Sequence, residues 1–238
     1  MNNFRFLSLT LIAAAIGTLA LASCKKDPEE IQALISDSEA AEIVETAVSG
    51  RSAGTTMTTE DMAEMLATTL ACGVPGDTTL QHTGTPGPVT CTGTFEIGWL
   101  VTCSNLGVPQ SAQFDLDGTT SFTASRWSGT GTGAGSLTAT GLNPSATAYV
   151  FDGSYTSGRQ LTGNLRKVDP TITTSTEITL TDLTIRKSDK MITGGTATVI
   201  VTATAANGGT RTVNGSLVFN GNGTATVTVN GYSHTFQL

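Results

Sequence analysis

The sequence predicts a mainly β protein with two short N-terminal helices, its strands joined as an antiparallel meander that forms a curved sheet or open barrel around an amphipathic helix. Three observations predict it. Thr, Ser and Gly dominate a chain in which aromatic residues make up only 5 %, a composition suited to strand faces and tight turns. From about Leu80 to Leu238, turn signals recur every 8 to 18 residues, with hairpin dipeptides at Asp117-Gly118, Asp152-Gly153, Asn207-Gly208, Asn220-Gly221 and Asn230-Gly231. Between them the residues alternate, apolar with hydroxyl-bearing, as a sheet covering a core on one side requires. A two-sheet β-sandwich is the competing architecture.

The chain opens with a leader. Arg5 supplies a short positive region and Phe6 to Leu19 an apolar core of signal-peptide length, diluted by Gly17 and Thr18. Leu21-Ala22-Ser23-Cys24 follows. It resembles the bacterial lipobox, which implies cleavage between Ser23 and Cys24 and acylation of the Cys24 thiol. Several acyl chains, at about 0.8 kcal/mol per buried methylene, hold a protein to a bilayer far more firmly than one chain can.

Residues 1–23 are thus read as a signal peptide, 24–57 as an acidic stem with a short helix, and 58–238 as one β-rich domain with a leading helix. Charge sets the stem apart. Of the formal net charge of −7, the segment from Cys24 to Leu66 carries three basic and ten acidic residues, the chain from Ala67 onward eight basic and nine acidic, and the leader the single basic Arg5. No basic cluster supports nucleic-acid binding.

Two helices precede the strands. Ser36 with Glu39 forms a capping box, after which Ala40, Ile43, Val44, Ala47 and Val48 keep helical spacing up to Gly50. A second start, Thr58 with Asp61, opens a helix over residues 59–72 with Met62, Met65, Leu66 and Leu70 on one face. Ser49 to Thr58 reads as a flexible joint, and the sheet is expected to wrap around the second helix.

The last hairpin can be assigned residue by residue. A two-residue turn at Asn230-Gly231 pairs Val229 with Tyr232, Val227 with His234 and Ala225 with Phe236 on the apolar face, leaving the threonines and Ser233 on the other. In Ile178 to Ile185 the apolar phase slips at Thr181-Asp182, which predicts a bulge.

Little in the chain suits catalysis. Of its two histidines, His234 falls on the apolar face as a hydrogen-bonded core residue and His82 in a Gly/Pro-rich loop. No metalloprotease, hydrolase-elbow or C-x-x-C motif is present, and neither an enzymatic activity nor a cofactor is expected. Gly129-Thr-Gly131-Thr-Gly133-Ala-Gly135 imitates a dinucleotide loop but precedes a strand-like segment, so it reads as a flexible loop. Asp115-Leu-Asp117-Gly118 lacks the remaining ligands of a calcium loop. Trp99, Trp127, Tyr149 and Tyr155 are the rings available for stacking on a sugar.

With Cys24 assigned to lipid, Cys72, Cys91 and Cys103 remain. If Thr90 to Cys103 is one strand, Cys91 and Cys103 lie roughly 40 Å apart, beyond any bridge. The expected bridge is Cys72 to Cys103, tying the second helix to the sheet, with the pairing among the three thiols still open.

The leader ending SCKKD, the helix SDSEAAEIVETAV, the helix ending ACG, the strand ending LVTCSN and the tail GSLVFNGNGTATVTVNGYSHTFQL together resemble lipoproteins of Bacteroidota bacteria. The resemblance implies a membrane lipoprotein of the cell envelope with a β-rich body, and no activity. An acidic run just after the cysteine is similar to surface-export signals of that group; here Pro28 interrupts it. The expectation is a protein lipid-anchored to a membrane, the outer one, facing the periplasm or the surface. It binds or scaffolds a protein, lipid or glycan partner without catalysis. The alternative is a surface glycan-binding or adhesive module, and a third reading is a hydrolase built around His82 or His234.

Overall fold

The structure, a computed structural model, describes residues 34–68, 71–85, 87–163 and 171–238. The leader, Ser23 and Cys24 lie outside them, as does Leu70 of the second helical face.

Helix α1 spans Asp37–Val48, a 3₁₀ turn Gly50–Ser52, and helix α2 Thr55–Thr68. Ten strands follow: β1 (Gly76–Gly84), β2 (Thr90–Cys103), β3 (Pro109–Thr123), β4 (Trp127–Thr140), β5 (Ala148–Gly163), β6 (Thr171–Arg186), β7 (Ile192–Ala205), β8 (Thr210–Phe219), β9 (Thr224–Val229) and β10 (Tyr232–Gln237). They form one antiparallel sheet in chain order. The sheet curves without closing: β1 and β10 are its edges. The meander expected from the alternation is present, and the sandwich is not.

Alternation decides which side chains go inside. Phe95, Ile97 and Val101 of β2, Phe114, Leu116 and Phe122 of β3, and Val199, Val201 and Ala203 of β7 face a single core, while outward threonines pair across strands, as Thr202 with Thr212 and Thr226 with Thr235. The final hairpin has the register read from its sequence. Asn230 and Gly231 both take positive φ, 47° and 85°, as the tight turn demands. The β6 bulge is also present. Pairing with β5 shifts between Phe151 and Gly153, Asp182 adopts φ 54°, and its N–H donates to Asp152 Oδ1 at 2.9 Å.

Other expectations are corrected. Asp117-Gly118 and Asp152-Gly153 lie inside β3 and β5 and make no hairpin. At Gly118 an added Cβ would come within 2.5 Å of the Phe95 ring; the glycine is there for that ring, not for a turn. The GTGTGAG run is no loop but the first half of β4. Its four glycines line the inner face and leave room for large side chains of β5. A Cβ at Gly133 would sit 2.0 Å from the Tyr155 hydroxyl, and one at Gly131 2.7 Å from the Arg159 side chain. His82, expected in a loop, is on β1.

The largest correction concerns which helix fills the sheet. The acidic stem helix, not the helix expected at 59–72, is the main filling: Ala40, Ala41, Ile43, Val44, Ala47 and Val48 are buried in the same core as the strands. The boundary drawn at residues 57 and 58 thus runs through one packed body. Small residues let α1 approach the sheet, and its acids meet basic side chains of the strands and the β3–β4 turn: Asp37 with Arg211, Glu42 with Arg126, Glu45 with His234.

Burying a helix end requires partners for its last carbonyls, and α1 has them all. Glu45 O accepts from Ser49 N–H, Thr46 O from Ser52 Oγ and Arg159 Nη1, Ala47 O from Thr55 Oγ1, and Val48 O from Thr56 Oγ1. The joint expected to be flexible is this tight cap, and α2 begins at Thr55 rather than after Thr58 because its first hydroxyls are used there. Gly54 is obligatory, since a Cβ would lie 2.6 Å from the Val48 carbonyl carbon.

Arg159 holds the cap from the sheet side. It is 3 % exposed and donates through Nε to Ser157 Oγ at 3.0 Å, through Nη1 to Thr46 O at 2.6 Å, and through Nη2 to Ser52 O and Ala53 O at 3.4 Å. Burial pulls its pKa down to about 10, with Tyr155 pushing it back up, so the charge survives at neutral pH. Replacing Arg159 by Met should cost about 3–5 kcal/mol, because buried carbonyls lose a charged donor, and lower Tm by roughly 10 °C in a thermal melt. Gly133→Ala should cost about 1–3 kcal/mol by overpacking against Tyr155, whereas Thr132→Ala, on the outer face, should change stability by less than about 0.5 kcal/mol in the same denaturation assay.

Candidate functional site

Where the curl of the sheet brings the β3–β4 turn towards β10, α1 lies between them. A cleft of about 360 Å³ opens there. Phe122 and Trp127, 3 % and 5 % exposed, give it an apolar floor, continued by Pro88, Val89 and Ala124; Glu42, Glu45, Arg51, Arg126 and His234 stand around it.

The polar groups are organised by α1. Glu42 accepts from Arg126 Nη1 on one oxygen and from Trp127 Nε1, at 2.9 Å, on the other. Three residues on, Glu45 Oε2 lies 2.8 Å from His234 Nε2, and the His234 ring stacks on Phe236 at 6.0 Å. Ser49, four residues after Glu45, donates its hydroxyl to Gln237 O at 2.9 Å. His234 therefore occupies the inner face as expected, with a carboxylate partner, but the nearby serine is committed to backbone.

The second histidine makes a similar pairing at the other edge. His82 Nε2 on β1 lies 2.8 Å from Asp61 Oδ2 on α2, an ion-pair contact out of line for a hydrogen bond, and neither atom has another partner among the described residues. Burial holds the Asp61 carboxyl above its usual range, opposed by His82 and reinforced by Glu64. Glu60, beside it, keeps an exposed surface, yet desolvation of its carboxyl, and after it the charge of Asp61, push it up to about 7. Each histidine has a carboxylate within reach, as a hydrolase would need; neither has a hydroxyl or thiol in hydrogen-bond contact among the described residues.

The other expected features fall as follows. Cys72 and Cys103 are bonded, with Cα atoms 5.6 Å apart, and Gly73 N–H donates to Val101 O at 2.9 Å; the bridge ties the segment after α2 to β2. Cys91 is a buried free thiol at the opposite end of that strand. Trp127, Tyr149 and Tyr155 are buried and Trp99 lies half-buried over Gly76, so the four rings offer no exposed stacking platform. Asp115 and Asp117 lie on the outer face near Asp77 and Glu96, and no group of three or more His, Cys, Asp or Glu among the described residues could hold a metal ion. No helix among these residues is long and apolar enough to cross a membrane.

Sequence reasoning singled out His234 and Trp127 but missed Glu42, Glu45 and Arg126. The signal available was the spacing of Glu42 and Glu45 within Ala40–Val48, where every other residue but Thr46 is apolar.

The raised carboxyls on α2 give stability a pH dependence of definite sign. Between the ordinary Glu pKa and about 7, the folded state holds protons that the unfolded chain has released, so this contribution is lost as pH rises through that window. Glu60→Gln should therefore be more stable than wild type at pH 8, and the advantage should shrink at pH 5, as read from paired thermal melts.

No family model, curated protein or solved structure matches the chain.

Proposed function

We propose that this is a lipid-anchored protein of the bacterial cell envelope, tethered to a membrane, the outer one, through acyl chains on Cys24. Its body serves as a non-enzymatic binding scaffold. The observation that carries the reading is Leu21-Ala22-Ser23-Cys24 at the end of a signal-like leader. Nine residues separate Cys24 from Leu34, where the described body begins. At about 3.3–3.6 Å per residue such a segment spans some 30 Å at full extension, so it would keep the body close to the bilayer.

Non-enzymatic binding is supported by the way the interior is used. The core is filled by α1, the serine nearest His234 gives its hydroxyl to the Gln237 carbonyl, and the cleft between α1, the β3–β4 turn and β10 joins an apolar floor to a charged rim, the composition of a binding site. That cleft is our candidate for the binding surface.

Cys24→Ser should abolish acylation. Labelled palmitate should enter the wild-type chain and not the variant, and the variant should fractionate as soluble or unprocessed precursor. A variant that still sediments as mature membrane protein would refute the anchor.

A further inference from the structure

We infer that the cleft takes a small amphipathic organic anion, a carboxylate carried on an apolar body; the inference rests on reading the molecule as a binding scaffold. The hydrogen-bonding inventory of the rim points this way. Both Glu42 oxygens are occupied, one by Arg126 Nη1 and one by Trp127 Nε1. Arg126 donates only that N–H among the described residues, and its side chain is 55 % exposed. Its Nε and Nη2 groups thus retain the planar donor pattern that matches a carboxylate, while Glu42 fixes the guanidinium in place.

Behind the floor lies a second positive charge. Arg159 sits with its guanidinium carbon 5.3 Å from the centre of the Phe122 ring, and its hydrogen-bond acceptors are a serine hydroxyl and neutral carbonyls, with no carboxylate among them. A buried charge is screened far less than a surface one, so its field reaches the cleft through Phe122 and favours an anion there. Phe122, Trp127, Pro88, Val89 and Ala124 would cover the apolar part of the ligand. At about 360 Å³ the cleft is at the small end of ligand pockets. Glu45 opposes an anion, and its Oε2 is engaged by His234 Nε2 at 2.8 Å.

The test uses the full mature lipoprotein in detergent, titrated calorimetrically against matched blanks with three probes of one shape: benzoate, benzyl alcohol and benzylamine. Benzoate should bind at least 10-fold more tightly than the other two. Arg126→Gln should weaken benzoate at least 10-fold while the protein still melts cooperatively, and Glu45→Gln should tighten it. Equal binding of the three probes, preference for the amine, or an Arg126→Gln protein that binds benzoate as wild type does would each overturn the inference. Preference for the alcohol or the amine would refute the anion and leave the cleft a binding site, whereas no binding of any of the three would refute the cleft as a binding site as well.

Discussion

One constraint organises the molecule: a helix buried against a sheet must not leave its last carbonyls unpartnered. Helix α1 satisfies it with side chains from two directions. Ser52, Thr55 and Thr56 come from the chain that follows, and Arg159 reaches across from β5. Remove those partners and α1 could no longer lie inside the curl. The core contributed by Ile43, Val44, Ala47 and Val48 would then be lost with it. The glycines of β4 belong to the same solution, because they vacate the space through which Arg159 and Tyr155 extend.

The cation that completes this cap has no carboxylate among its hydrogen-bond partners in the described residues. A positive charge at the C-terminal end of a helix is favourable through the helix dipole, which explains how Arg159 remains charged although buried. It also links fold and cleft: the residue that secures α1 is stacked under Phe122, the floor on which a ligand would rest.

What could be read in the sequence was whatever depended on near neighbours. The Ser36–Glu39 capping box, the Asn230-Gly231 turn, the β6 bulge and the register of the last two strands are local patterns. The Cys72–Cys103 bond followed from the length of one strand. What could not be read depended on partners distant along the chain. Glu42 and Glu45 look like solvent-facing acids until Arg126 and His234, 84 and 189 residues later, arrive beside them. Gly129, Gly131, Gly133 and Gly135 look like a loop until β5 supplies the side chains that need the space. His82 looks like part of a Gly/Pro-rich turn until pairing with β2 extends β1 through it. The cleft, built from α1 and the turn after it, the β1–β2 and β3–β4 turns with the adjoining ends of β3 and β4, and the last strand, has no contiguous signature at all.

The arrangement of thiols along β2 sets an order of events during folding. In the finished molecule Cys91 is buried at one end of a fourteen-residue strand and Cys103 lies at the other, so they cannot meet. In a chain not yet paired, Cys91 is nearer in sequence to Cys103 than Cys72 is, and loop closure favours the shorter circuit. Correct oxidation therefore depends on β2 extending before the thiols react. Hairpin formation takes microseconds, whereas thiol oxidation takes seconds or longer, and that gap in rates protects the native pairing.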